Sequence, residues 1–399
     1  MTALAEPVVR RRVEAAHAGW AGIGLALLAA FVALPPLLLR TPAPSIVIAL
    51  LAVGAGAYAI HEGARKLGWL AVVLGVLAGV GAVAATKSGE SNLEAVFVWS
   101  ALAAAMLRFA TPLTFAALGG ILSERSGVIN IGLEGMMLTG AFFGILGADL
   151  TGSWWLGCFI GMAAGGALAL IHAVFSISFR GDQVVSGTAV NFLAFGITGY
   201  VFVAHYGDQG TPGDVPRAPD ISLPLIEDIP FFGDAIGHAN VLTWVALILV
   251  VLQSIYLFRT PGGLRLRSVG EKPRAADTVG VPVIRTRYLA VIASGLLAAL
   301  GGAYLTVALV GSFTELMTDG RGFIALAAVI FGNWRPFGAL AAALLFGFSS
   351  ALAQRLPEFS ESTAVLFQAL PYVLTLIVVA GVIGRSRPPA SIGIPYVKE

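Results

Sequence analysis

The sequence predicts an all-α, polytopic membrane protein of about ten to twelve spans, built as two pseudo-repeated, glycine-interrupted halves. Three observations carry this. Hydrophobic residues make up 57% of the 399 and charged residues only 12%, a balance outside the range of soluble domains. The apolar runs recur at the ~20-residue length that one helical crossing of the hydrocarbon core requires. Nearly all Lys, Arg, Asp and Glu gather in short segments between those runs. Period-2 alternation is absent, so the spans are helices rather than strands of a barrel.

In chain order the runs lie at 19–39, 43–60, 67–86, 95–122, 127–148, 154–177, 184–204, 239–258 and 288–310, then a Gly-rich pair across 321–356, then 366–384. The first follows Arg10, Arg11 and Arg12 and is long enough to span, so it reads as a signal anchor. The fourth is interrupted by Arg108 and by Thr111-Pro112, which predicts a kink or an interfacial stretch. Between the seventh and eighth runs, 205–238 holds five prolines and one arginine. This gives extra spans over 1–95, a core over 96–384, and a tail over 385–399.

Orientation follows from Lys and Arg in short loops. The densest cluster is Arg259, Arg265, Arg267, Lys272, Arg274, Arg285 and Arg287, which places 259–287 in the cytoplasm. The N-terminal arginines, Arg65 with Lys66, Arg180, and Arg385 with Arg387 fall on the same side. Both termini are therefore expected in the cytoplasm and 205–238 outside.

Several chemistries are missing their residues. The stretch 81–88, GAVAATKS, lacks the second glycine of a phosphate loop, and His61-Glu62 lacks the second histidine of a zinc-protease helix. Cys158 has no partner cysteine in the chain, and no Ser-His-Asp elbow is present. The five histidines are scattered, as loop or interface residues would be. No cofactor is expected in this chain.

What remains is the segment 119–138, GGILSERSGVINIGLEGMML, in an apolar setting. Asn130 and Glu134 are four apart and share a helical face, and an ionisable group at membrane depth faces protein, water or a partner charge. Either the pair lines a path or it makes an interhelical hydrogen bond. Glu124 and Arg125 are explained more simply as charges capping helix ends. The hexads 124–129 and 319–324 share an acid, a glycine three residues on, an apolar residue and isoleucine. Paired interrupted segments of this kind point to a transporter's binding region. In 268–280, Pro273 suits a first helical turn and Gly280 a stop, so 273–279 reads as a short helix outside the membrane.

These stretches carry a resemblance. GGILSERSGVINIGLEGMML, RGDQVVSGTAVNFLAFGITG at 180–199, VGEKPRAADTVGV at 269–281 and GRGFIALAAVIFGNWRPFGAL at 320–340 together resemble the permease subunits of ABC importers of the nucleoside type. Those systems use basic membrane lipoprotein-like binding proteins and are related to ribose and branched-chain amino-acid permeases. The resemblance implies a transport subunit rather than an enzyme, with ATP-Mg bound by a cytoplasmic ABC ATPase. It also implies a second permease, an extracytoplasmic nucleoside-binding lipoprotein and surrounding lipid, with no nucleic acid. It makes 273–279 the coupling helix, with Gly270, Glu271, Arg274, Ala275, Ala276 and Gly280 meeting the ATPase. Arg274 stands where that family commonly has Glu. The candidate path residues are Asn130, Glu134, Asn191, Phe323 and Asn333. Phe323, Phe331, Asn333 and Trp334 offer stacking and hydroxyl-binding groups for a nucleoside. The alternatives are a proton-coupled carrier using Glu134, or an ABC permease for a sugar or branched-chain amino acid.

Overall fold

The structure, a computed structural model, describes residues 6–33, 42–87, 98–207, 210–229, 233–355 and 387–398. Among them nine helices are long and apolar enough to cross a membrane. The expected span at 366–384, the end of the first run and the start of the fourth lie outside the described residues.

The chain forms two compact units, one of 1–102 with 349–385 and one of 103–348 with 386–399. In the first, α1 (Glu6–Ala33), α2 (Ala43–His61) and α3 (Arg65–Lys87) pack on one another. Their contact is made by small residues. A Cβ on Gly68 would fall 2.5 Å from the Gly56 carbonyl oxygen, so α2 and α3 touch backbone to backbone. Leu50, Leu51, Trp69 and Val80 point away from this contact, as lipid-facing side chains do.

The second unit begins in α4 (Trp99–Arg125). Pro112 sits inside a continuous α4 rather than ending it. Thr111 Oγ1 donates to the Leu107 carbonyl at 2.8 Å, a back-bond to the residue four earlier of the kind that bends a helix slightly. Next come α5 (Leu133–Thr151), α6 (Trp154–Ala173), which runs on as a π turn over Val174–Ser178, and α7 (Gln183–Tyr206). A two-stranded antiparallel hairpin, β1 (Asp220–Ser222) with β2 (His238–Asn240), frames the one-turn α8 (Pro224–Glu227). The chain continues through α9 (Val241–Arg259), α10 (Pro261–Glu271), α11 (Pro273–Thr278) and α12 (Val283–Ala303), which extends as a π segment over Tyr304–Val310. Then come α13 (Arg321–Phe331) and α14 (Pro336–Arg355).

At the centre α5 packs against α6 and α12. A Cβ on Gly144 would fall 2.9 Å from that of Ala303, and one on Gly161 2.7 Å from the Gly140 carbonyl oxygen, so glycines set the interhelical spacing. The expected Gly-rich pair is present as α13 and α14, joined at 332–335 by a turn in which Asn333 and Trp334 both take φ of +53°. With 11 residues, α13 is about 16 Å long, half the ~30 Å hydrocarbon core.

The two similar hexads adopt different backbones. The first leaves α4 at Gly127 (φ +92°) as an irregular chain, whereas the second passes Gly320 (φ +77°) directly into α13. The shared glycines serve a turn in one case and close packing in the other.

Candidate functional site

The segment 126–132, between α4 and α5, is neither helix nor strand, so its backbone groups need partners from elsewhere. Side chains supply them. Gln183 Oε1 accepts from the Ile129 N–H at 2.7 Å, and His172 Nε2 lies 2.9 Å from the Ile129 carbonyl, which requires that nitrogen to carry the proton. Ser123 Oγ donates to the Val128 carbonyl at 2.7 Å and Arg287 Nε to that of Ser126 at 3.2 Å. Asn191 Nδ2 donates to the Ile131 carbonyl at 3.1 Å, while its Oδ1 accepts from the Gly135 N–H at 2.8 Å.

That last bond is a cap supplied from outside the helix. α5 has Gly132 at its N-cap and no capping side chain of its own. α13 is built the same way, with Gly320 at the N-cap. Its caps come from Glu134, whose Oε1 accepts from the Gly320 N–H at 2.9 Å and Oε2 from the Gly322 N–H at 2.6 Å. A negative carboxylate at the positive end of a helix satisfies two orphan donors and the macrodipole together. Gly322 is needed for the approach, since a Cβ there would fall 2.5 Å from the Glu134 backbone nitrogen.

The opposite end of α13 meets opposite charge. Arg125 Nε and Nη2 donate to the Trp334 carbonyl at 3.1 and 3.0 Å, and Nη2 reaches that of Asn333 at 3.4 Å. The Trp334 indole N–H donates to the Glu124 carboxylate, and both side chains are buried. The half-membrane helix is therefore held between Glu134 and Arg125, both from the first half of the core.

At the Arg125 end sit α10 and α11. Gly270 packs directly on the Arg125 carbonyl and Gly127, leaving no room for a side chain. Residues 387–398, expected as a tail, strap this region together. The Gly393 N–H donates to the Gly127 carbonyl at 3.1 Å, Ser391 N–H to that of Gly270 at 2.9 Å, and Arg287 Nη1 to that of Ile394 at 3.0 Å. Glu271 is engaged by the same strap, its carboxylate accepting from the Ala390 N–H at 3.2 Å. Tyr396 joins Val269, Ala276 and Val283 in a small apolar cluster.

Four of the five expected path residues make hydrogen bonds within the protein. Asn130, Glu134 and Asn191 are buried, with Asn130 Nδ2 donating to Ser294 Oγ at 3.0 Å. Asn333 lies at the strap end, its Oδ1 accepting from the Arg387 N–H at 3.0 Å, and Phe331 stacks on Phe346. Phe323 alone of the five presents an exposed side chain, at 47%. Of the expected coupling residues, Gly270 and Ala276 face inward, Glu271 bonds the strap, and Arg274, Ala275 and Gly280 are exposed. Gly280 ends the helix at φ +83°. Sequence reasoning missed Gln183, Ser294 and Arg287 as partners, and His172, expected in a loop or interface, is fully buried in α6. Its polarity within an apolar run is the signal that marks it. Among the described residues no His, Cys, Asp and Glu cluster is arranged for a metal ion.

The model of the branched-chain amino acid transport system permease component matches residues 102–379. The chain belongs to that permease family. The match takes in the whole Glu134–α13–Arg125 arrangement and excludes α1 to α3. The permease is 43% identical over 320 residues to the guanosine ABC transporter permease protein of Bacillus subtilis, covering 77% of this chain and 99% of that one. It is 38% identical over 308 residues to a nucleoside ABC transporter permease protein of Lactococcus lactis, covering 75% and 97%. It is also 39% identical over 260 residues to a putative glucose ABC transporter permease protein of Haloferax volcanii, covering 64% and 78%. No solved structure matches it.

Proposed function

We propose that this permease is the membrane subunit of an ATP-driven ABC importer for nucleosides. The observation that carries the substrate class is the 43% identity to a guanosine permease across 99% of that protein's length. A cytoplasmic ABC ATPase supplies the energy, ATP-Mg being bound there. A second permease completes the path, and an extracytoplasmic lipoprotein delivers the solute. Both termini and α10–α11 lie on the cytoplasmic side, and the β1–β2 hairpin outside.

The geometry supports a route for coupling. Arg274 and Ala275 of α11, with Val279 just after it, form the exposed surface that meets the ATPase. Motion of α10 is passed through Gly270 to Arg125 and 126–127, and from Arg125 to the end of α13. Because Glu134 of α5 holds the other end of α13, the half-helix and the start of α5 move together when Arg125 is displaced, the type of rocking that alternating access needs. Glu134 in this account is a positioning residue. Both its oxygens accept backbone N–H groups, which speaks against the proton-carrier alternative.

A second reading is favoured by the 39% identity to the putative glucose permease, namely a sugar as substrate. Uptake of labelled guanosine, uridine and glucose into cells carrying this chain and its partner subunits decides between them. Guanosine uptake competed by uridine and not by glucose supports the proposal; glucose uptake alone overturns the substrate class.

A further inference from the structure

The hairpin end of the permease holds a second polar feature that the framework around Glu134 does not use. A cavity of about 250 Å³ opens there, lined by Arg108 of α4, Asp220, His238 and Asn240 of the hairpin, Thr243 of α9 and Tyr304 at the end of α12. Arg108 lies nine residues into a membrane-spanning helix, where an ionisable side chain marks a solute path or a buried partner by default. Its cavity carries both signs of charge, the guanidinium and the Asp220 carboxylate, and so suits a neutral solute rich in hydrogen-bonding groups.

The walls are built rather than incidental. Asn240 caps α9 through its Oδ1, which accepts from the Leu242 N–H at 3.1 Å, and its Nδ2 donates to Asp220 Oδ1 at 3.0 Å and to the Ala218 carbonyl at 2.9 Å. The carboxylate is thereby fixed in direction. The Thr111 and Thr243 hydroxyls are hydrogen-bonded to each other at 3.1 Å, and Tyr304 lines the cavity beside Thr243. An oriented carboxylate can accept two hydroxyl protons from neighbouring carbons while a guanidinium donates to their oxygens. The volume falls below the ~300 Å³ at which pockets for drug-sized ligands begin, and so matches a sugar ring rather than a whole nucleoside.

We propose that this cavity is an entry site for the ribose moiety of the transported solute, with Asp220 and Arg108 gripping its vicinal diol before translocation. The inference rests on the proposed function for the outward position of the hairpin and for the ribose. It makes no use of Glu134 or α13.

The test is substrate protection. Ala308, which also lines the cavity, is changed in an Ala308→Cys chain carrying Cys158→Ala, and the assembled transporter is treated from outside with a membrane-impermeant thiosulfonate. Labelling slowed at least fivefold by millimolar ribose and by guanosine, and unaffected by dideoxyguanosine, is the expected result. Labelling indifferent to ribose, or no labelling at all, overturns the site. In parallel, Asp220→Asn is expected to raise the KM for guanosine about tenfold, the loss of one charge-assisted hydrogen bond, with no change for dideoxyguanosine. An equal rise for both nucleosides contradicts diol recognition. Failure of the wild-type assembly to take up guanosine counts against the proposed function and leaves the ribose arm to decide the cavity.

Discussion

The Glu134 carboxylate accepts the Gly322 N–H at 2.6 Å and the Gly320 N–H at 2.9 Å, joining the start of α5 to the start of α13, 186 to 188 residues further along the chain. Charge, donors and the missing side chain at Gly322 are matched. Removing any of the three tests a different part of the bond.

Glu134→Gln keeps one acceptor and loses the charge, whereas Glu134→Ala leaves the buried Gly322 N–H and the part-buried Gly320 N–H without this partner. The expected order of thermal stability in detergent is wild type, Gln, Ala, with the alanine variant lower by about 2–3 kcal/mol. Uptake falls in the same order and remains ATP-dependent. A glutamine variant that transports normally but no longer responds to ATP contradicts the positioning role.

Gly322→Ala separates helix propensity from packing. Propensity alone favours alanine by about 1 kcal/mol, but the added methyl meets the Glu134 backbone, and overpacking of this kind costs about 1–3 kcal/mol. Gly54, in the middle of α2, is the control, since a methyl added there would meet nothing within 4 Å. Gly322→Ala is expected to lower the melting temperature and Gly54→Ala to leave it unchanged or raise it.

Arg125→Lys tests geometry at constant charge. The guanidinium reaches two carbonyls through Nε and Nη2, a fork an ammonium lacks. ATP-driven uptake is expected to fall about tenfold, the loss of one to two charged hydrogen bonds, with the amount of permease in the membrane unchanged. The companion Trp334→Phe strands the Glu124 carboxylate without its indole donor and is expected to reduce stability rather than coupling.

Much of this architecture was legible in the sequence because the bilayer fixes the length of a span. The Gly-rich pair at 321–356 was visible for the same reason, as were Pro273 and Gly280 bounding α11. The partners of Glu134 and Asn191 were not. Each bonds backbone groups, an N–H or a carbonyl, which residues carry whatever their side chain, so no side-chain pattern marks the receiving positions. Six residues of α11 hold less than two turns, too few for a periodicity that would have told inward Ala276 from outward Ala275. The strap 387–398 bonds mainly through its backbone, and its sequence therefore reads as a plain tail.

Deleting residues 387–399 removes the strap and uncovers Val269, Ala276 and Val283. The shortened permease is expected to insert normally, to lose most ATP-driven uptake, and to become sensitive to trypsin at Arg265 and Arg267. Equal protection of these sites in both forms contradicts a fastening role for the strap.

We propose that solute movement is driven by a partner's ATP hydrolysis acting through α10, Arg125 and α13, with Glu134 as framework. The most direct measurement is labelled guanosine uptake into proteoliposomes holding this permease with its ATPase, second permease and binding protein, comparing internal ATP with an imposed proton gradient. Uptake that requires ATP and every partner, and that ignores the gradient, is the predicted result. Gradient-driven uptake by this chain alone, abolished in Glu134→Gln, would contradict the account.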